Sequence, residues 1–124
     1  MRAVDRILVA TDRSETAERA VAWAADMARR YEAELIVLHV LVPDEAHTMP
    51  DENGAATGER ARTRVVVHAD PARAIVDAAK DENADVVVVG NVGMRSRRRF
   101  LVGNVPNLVA HKAPCTVVIV DTTS

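Results

Sequence analysis

Four consecutive valines at positions 86 to 89 constrain the fold of this 124-residue chain more than any other feature. The run has no polar break, which is typical of a strand buried on both faces of a parallel sheet. Gly90 and Gly93 follow it, and Gly103 and Asn104 come after a nine-residue spacer. Two glycines three apart allow a tight bend and a close approach of a ligand to backbone N–H groups. Gly103 and Asn104 open a predicted helix, whose first N–H groups lack partners and attract anions. The stretch therefore predicts a phosphate-binding loop between two buried strands.

Strand and helix signals alternate along the chain. Predicted strands cover residues 6–10, 35–40, 64–68, 86–89 and 115–120. Ser14 is a predicted N-cap for a first helix. Asp70 and Pro71 start another helix as N-cap and first helical residue, and a short helix covers residues 105–111. The first helix has a predicted apolar stripe of Ala17, Val21, Ala24, Ala28 and Tyr31, widened by Trp23 and Met27. Strands that alternate with helices predict a doubly wound α/β sheet in one domain over residues 1–124.

The segment 41–62 interrupts this alternation. It has no apolar periodicity and contains Pro43, Pro50, Gly54 and Gly58 among acidic residues, so it is predicted to be a long loop or a partly disordered segment. Only residues 57–62 are suited to one or two helical turns. The helix expected between the second and third strands is therefore predicted to be missing or shortened.

Composition and side-chain spacing exclude several functions. The net charge of −2 gives no general reason for binding nucleic acid or a membrane. The single cysteine, Cys115, excludes an internal disulfide and is predicted to be a small buried residue. The four histidines show no metal-binding spacing, and His39 is predicted to be a core or half-buried residue. No catalytic triad, carboxylate pair or P-loop lysine is discernible, so an enzyme is not favoured. Without a signal-peptide core, a cytoplasmic location is the default expectation.

These motifs resemble those of the universal stress protein family. Its nucleotide-binding members carry G-x2-G-x9-G-[S/T], and Gly90, Gly93 and Gly103 match that spacing. Asn104 stands where the family has Ser or Thr, and its amide N–H can still donate to a phosphate oxygen. The resemblance implies a five-stranded parallel sheet in the order 3-2-1-4-5, with helices on both faces. The first and fourth strands then flank the switch point, where such sheets bind ligands.

The resemblance also implies the ligand and the residues that bind it. The ligand is ATP or another adenine nucleotide, with or without Mg²⁺. The family positions that line the base pocket correspond to Ala10, Thr11 and Val40. Those around the ribose and phosphates correspond to Gly90, Gly93, Gly103, Asn104 and Val105. Two alternatives stay open: the glycines form tight turns without a ligand, or Asp12, assigned by the resemblance to the nucleoside, caps the first helix instead.

Four arginines at positions 95, 97, 98 and 99 form a basic cluster in the spacer. Arg95 and its neighbours either face solvent, clamp the phosphates of the same ligand, or contact RNA or an acidic protein. Because no aromatic residues are interleaved with them, nucleic acid is the weakest of the three.

The expected function is an adenine-nucleotide-binding regulator or sensor of the stress response. The alternatives are a ligand-free dimeric interaction module and a weak nucleotide hydrolase. A homodimer is expected through residues 116–120, which contain no Pro, Lys or Arg to block pairing at a sheet edge; the family also dimerises there.

A missing helix would also leave part of the sheet uncovered. Some of residues 35–40 and 65–67 would be exposed on the face that it should cover. Two arrangements stay open: a second copy covers this face and extends the assembly beyond a dimer, or residues 41–62 fold back over it.

Overall fold

The computed structural model describes residues 3–11, 15–41, 61–90 and 105–121. Eight elements lie in these ranges: β1 (Arg6–Thr11), α1 (Glu15–Tyr31), β2 (Glu34–Leu41), β3 (Ala61–Val67), α2 (Pro71–Asp81), β4 (Val86–Gly90), α3 (Val105–Lys112) and β5 (Thr116–Val120). Several predictions concern residues that lie outside these described ranges: Asp12, Ser14, Gly93, the arginine cluster that begins at Arg95, Gly103, Asn104 and the helix between β2 and β3.

The five strands form one parallel sheet in the order β3-β2-β1-β4-β5, which confirms the predicted fold class and strand order. β1 lies at the centre, between β2 and β4. The valine run forms β4, and all four valines are at most 4% exposed. β4 is hidden because strands flank it and both faces of the sheet are covered by apolar side chains.

The described helices lie on opposite faces of the sheet. Odd-numbered residues of β1 and β2 and even-numbered residues of β4 pack with α1, whereas the alternate residues pack with α2 and α3. The chain crosses from β1 to β2 in one direction and from β3 to β4 and β5 in the other. Because such crossovers are right-handed, the reversal moves the helices to the second face.

The predicted stripe of α1 is partly confirmed. Ala17, Val21, Ala24 and Ala28 of the stripe are buried. Trp23 is 42% exposed and Tyr31 is 54% exposed, so the prediction that both belong to the core is wrong. Small side chains allow the helix to lie close to the sheet. Trp23 precedes the buried Ala24 and points about 100° away from it around the helix. Tyr31 is the last residue of α1.

The start of α2 is the one that the sequence predicts. A side-chain oxygen of Asp70 accepts a hydrogen bond from the backbone N–H of Arg73 at 3.3 Å, and Pro71 is the first helical residue. Proline is well placed there because its missing N–H has no helical partner in the first turn. The buried face of this helix carries Ile75 and Val76 among alanines.

The region around β2 and β3 differs from expectation. β2 extends to Leu41, and β3 begins at Ala61, so both ends of the predicted loop belong to strands. Residues 35–40 are all buried, so the part of this strand that a missing helix would expose is covered. β2 is enclosed because it lies between two strands, and its side chains join apolar clusters on both faces. In β3, Val65 and Val66 are half-buried and Val67 is 48% exposed.

The two edges of the sheet have different chemistry. The β3 edge carries Arg62 and Arg64, which both form ion pairs with Glu82 at the end of α2. The β5 edge has the sequence TVVIV, with Ile119 44% exposed. Charged residues on an edge strand hinder pairing with another chain, whereas an uncharged edge permits it.

Candidate functional site at the carboxyl edge of the sheet

Four of the predicted binding residues lie where three adjacent strands end. Ala10 and Thr11 are the last residues of β1, Val40 is the last but one of β2, and Gly90 is the last of β4. All four are buried. Because the strands are parallel, their carboxyl ends meet at one edge, so the tertiary structure brings together residues that are far apart in the sequence.

β1 and β4 are joined at one end of their ladder and separate at the other. At the amino edge, a carboxylate oxygen of Asp85 accepts hydrogen bonds from the backbone N–H groups of Asp5 and Arg6 at 2.8 and 3.0 Å. The ladder between the strands ends at the pair Val9 and Val88. Each strand then continues for two more residues, to Thr11 and Gly90.

The outer neighbours of these strands stay paired to the end. β1 remains in register with β2 as far as Thr11 and His39, and β4 with β5 as far as Gly90 and Val120. The sheet is therefore open at its carboxyl edge between β1 and β4. This is the switch point of the topology, the position at which doubly wound sheets bind ligands.

One wall of this opening is apolar. Ala10 and Val40 belong to the cluster under α2 and α3, and Val105 packs against that cluster from the start of α3. The helix begins at Val105, so the unpaired N–H groups of its first turn, to which Pro106 contributes none, and the positive end of its dipole lie at this end. An apolar wall suits the flat face of a base, and a helix N-terminus suits an anion.

Thr11 and His39 form a pair that sequence reasoning did not recognise. They are the buried polar residues in the described part of the chain, at 2% and 5% exposure, and they are partners in the β1–β2 register. His39 is in the core, as predicted. Its position opposite Thr11 depends on the strand register, and no local sequence signal could have shown it.

Two grooves lie elsewhere on the described surface. One, of about 260 Å³, runs between α2 and α3 and has Leu108 beside charged residues of both signs. The other, of about 540 Å³, lies at the amino edge between Tyr31 and Cys115. Cys115 is half-buried rather than fully buried. Burial, and then the charge of Asp85, raise the pKa of its thiol, which disfavours the reactive thiolate.

Metal-binding clusters and membrane-spanning helices are both absent from the described ranges. Among residues 3–11, 15–41, 61–90 and 105–121, no group of three or more His, Cys, Asp or Glu side chains could hold a metal ion. Across the same residues, every helix is too short or too polar to cross a membrane.

Comparison with known proteins identifies close similarity to one family. The family model described as "Universal stress protein family" matches residues 3–62 and 46–121. Universal stress protein Rv1636 of Mycobacterium tuberculosis is 34% identical over 148 aligned residues, covering 99% of this chain and 100% of that protein.

Two solved structures with bound nucleotides share the fold. A universal stress protein in complex with cAMP superimposes with a TM-score of 0.81 at 34% identity, covering 98% of this chain and 100% of that one. The Archaeoglobus fulgidus universal stress protein in complex with dAMP has a TM-score of 0.65 at 26% identity, covering 95% and 98% of the two chains.

Proposed function

Because the chain belongs to the universal stress protein family, we propose that it binds an adenine nucleotide at the carboxyl edge of its sheet and acts as a regulator or sensor in the stress response. The observation that carries the proposal is the opening between β1 and β4 beyond Val9 and Val88. The similar proteins solved with cAMP and dAMP support an adenine nucleotide as the ligand.

The residues at this edge suit the separate parts of a nucleotide. Ala10 and Val40 supply an apolar surface for the base, next to Thr11. Gly90 has no side chain, so a ligand can approach its backbone. The phosphates would lie at the start of α3, near Val105, where helical N–H groups attract anions.

The rest of the proposed site comes from the sequence motif. Gly93, Gly103 and Asn104 would surround the ribose and phosphates, Asp12 would bind the nucleoside, and Arg95 would neutralise phosphate charge. We propose ATP or another adenine nucleotide as the ligand. Mg²⁺ would accompany it where two or more phosphates are present, because Mg²⁺ is usually bound through substrate phosphates and few protein ligands.

Mass spectrometry of the purified protein, followed by calorimetric titration, tests the proposal. We expect an adenine nucleotide to be released on denaturation, or to bind when ATP, AMP, cAMP and dAMP are titrated in turn, each with and without Mg²⁺. GTP and CTP serve as matched controls for the base. The proposal would be contradicted if no adenine nucleotide is released and none binds on titration, in protein with an intact circular dichroism spectrum.

We also propose a homodimer formed through antiparallel pairing of β5. Ile119 is exposed on this uncharged edge, whereas the opposite edge is occupied by the ion pairs of Arg62 and Arg64. A larger assembly through the sheet face next to the helix predicted to be missing stays a proposal: residues 35–40 are buried there, whereas Val67 of β3 is 48% exposed.

A further inference from the structure

The buried pair Thr11 and His39 lies at the proposed nucleotide site. The two residues form the last pair of the β1–β2 ladder. Preceding residues of both strands alternate between the faces, with Ile7, Val9, Leu35 and Val37 packed on the α1 side. Thr11 and His39 continue that alternation and share the α1 side. Adjacent strands lie about 4.8 Å apart, so the two side chains are neighbours.

Burial of these polar groups needs a reason, because the β-strands around them are otherwise apolar. Burying a hydroxyl or an imidazole costs free energy unless it is hydrogen-bonded. Val or Leu would satisfy the packing at either position without this cost. A hydrogen-bonded buried polar pair instead fixes a specific local geometry.

The geometry that this pair can fix is the end of β1. Beyond Val9, β1 has left the ladder with β4, and within the described residues it stays in register with β2 through Thr11 and His39. His39 is also followed directly by Val40, which belongs to the wall proposed for the base. The imidazole lies on the α1 side of the sheet, on the opposite face from Ala10 and Val40, and adjoins two strand ends that would both line the nucleotide.

We propose that His39 is a positioning residue: by hydrogen bonding with Thr11 it holds the ends of β1 and β2 at a fixed spacing and so preorganises the nucleoside wall. Its effect on affinity rests on the proposed nucleotide function. Preorganisation raises affinity because fewer groups have to be ordered when the ligand binds.

Three variants test the role of the imidazole. His39→Leu replaces the imidazole with an apolar side chain of similar size and removes the hydrogen bond, and we expect it to weaken nucleotide affinity about tenfold. Its melting temperature should fall, because the buried hydroxyl of Thr11 loses its partner, and the Thr11→Val/His39→Leu double variant, in which both partners are apolar, should recover much of that loss. His39→Gln retains an N–H group and should recover most of the affinity. Val37→Ala, two residues earlier on the same face of β2, should lower the melting temperature and leave affinity unchanged.

A double-mutant cycle tests the pair itself. Thr11→Val and His39→Leu should each weaken nucleotide binding. The double variant should bind no more weakly than whichever single variant binds less tightly, because both substitutions remove the same interaction. Independent effects that multiply in the double variant would overturn the proposal. So would wild-type affinity in a folded His39→Leu variant.

Hydrogen exchange of the ligand-free protein separates this inference from the proposed function. In His39→Leu, amides of residues 9–11 and 38–41 should exchange about tenfold faster relative to those of residues 86–89. If the wild type binds no adenine nucleotide, the proposed function fails, and the exchange rates still decide whether His39 holds the strand ends. If the wild type binds nucleotide but its affinity does not respond to His39→Leu, the inference fails alone.

Discussion

Glu82, at the end of α2, joins both arginines of the edge strand β3. One of its carboxylate oxygens accepts a hydrogen bond from Arg64 at 3.0 Å, and both of its oxygens accept from Arg62. Arg62 also contacts Glu34 of β2 at 3.3 Å. Hydrogen bonding by Arg62, opposed by partial burial and reinforced by Arg64, lowers the pKa of Glu82 below its usual 4.5. The network ties the edge strand to the helix that follows it.

We expect stability to fall in acid through Glu82. Its pKa is lower in the folded state than in the unfolded state, so its contribution is complete above pH 4.5 and is lost as the pH falls through the lower folded value. Glu82→Gln should reduce the free energy of unfolding by about 1 kcal/mol at pH 7, with a smaller difference at pH 3. Urea unfolding at both pH values measures this. Asp77→Asn, at the exposed contact with Arg73, is the control and should have little effect. Equal differences at both pH values would contradict the role of Glu82.

The glycine motif is tested by adding branched side chains. Gly93→Val and Gly103→Val should each abolish nucleotide binding while the sheet stays folded, because the new side chain would occupy the space where phosphate meets the backbone. Calorimetric titration and circular dichroism check the two parts of this prediction. Gly54→Val, outside the motif, is the control and should bind normally. Unchanged affinity in folded Gly103→Val would remove the case for phosphate binding by this loop.

The proposed dimer depends on the uncharged edge. Ile119→Lys should produce a monomer, because a charged side chain on an edge strand opposes pairing. Val67→Lys is a matched control, since Val67 is similarly exposed on the opposite edge strand, and it should remain dimeric. Light scattering at tens of micromolar protein measures the mass. A monomeric wild type, or a dimeric Ile119→Lys variant, would count against pairing through β5.

Trp23, the largest side chain of α1, should contribute less to stability than its predicted place in the apolar stripe of this helix suggests. Trp23 is 42% exposed, so Trp23→Ala should cost less than about 1 kcal/mol of stability, well below the cost for a core tryptophan. Leu38 is fully buried, so Leu38→Ala should cost about 2–5 kcal/mol. Urea unfolding measures both, and acrylamide quenching of the single tryptophan measures its exposure. A larger loss from Trp23→Ala than from Leu38→Ala would contradict the structure.

Features that depend on neighbours in the sequence were predictable. The valine run specifies a buried strand because every one of its side chains is apolar and β-branched. Asp70 and Pro71 specify a helix start because the cap bonds to a residue three positions away. The strand order followed from a family resemblance, and with it came the expectation that Ala10, Thr11, Val40 and Gly90 meet at one edge.

Features that depend on distant residues were decided by the tertiary structure. β3 begins at Ala61, within a polar stretch, where Arg62 and Arg64 form ion pairs with Glu34 of β2 and with Glu82 at the C-cap of α2. Trp23 is exposed because the alanines of α1, and not its largest side chain, face the sheet. Thr11 and His39 meet because the register of two strands aligns them. Pairing between β1 and β4 stops at Val9 and Val88, which only the arrangement of the strands shows. Register and exposure arise from contacts between elements, whereas caps and strand signals arise within a few residues, and only the latter can be read along the chain.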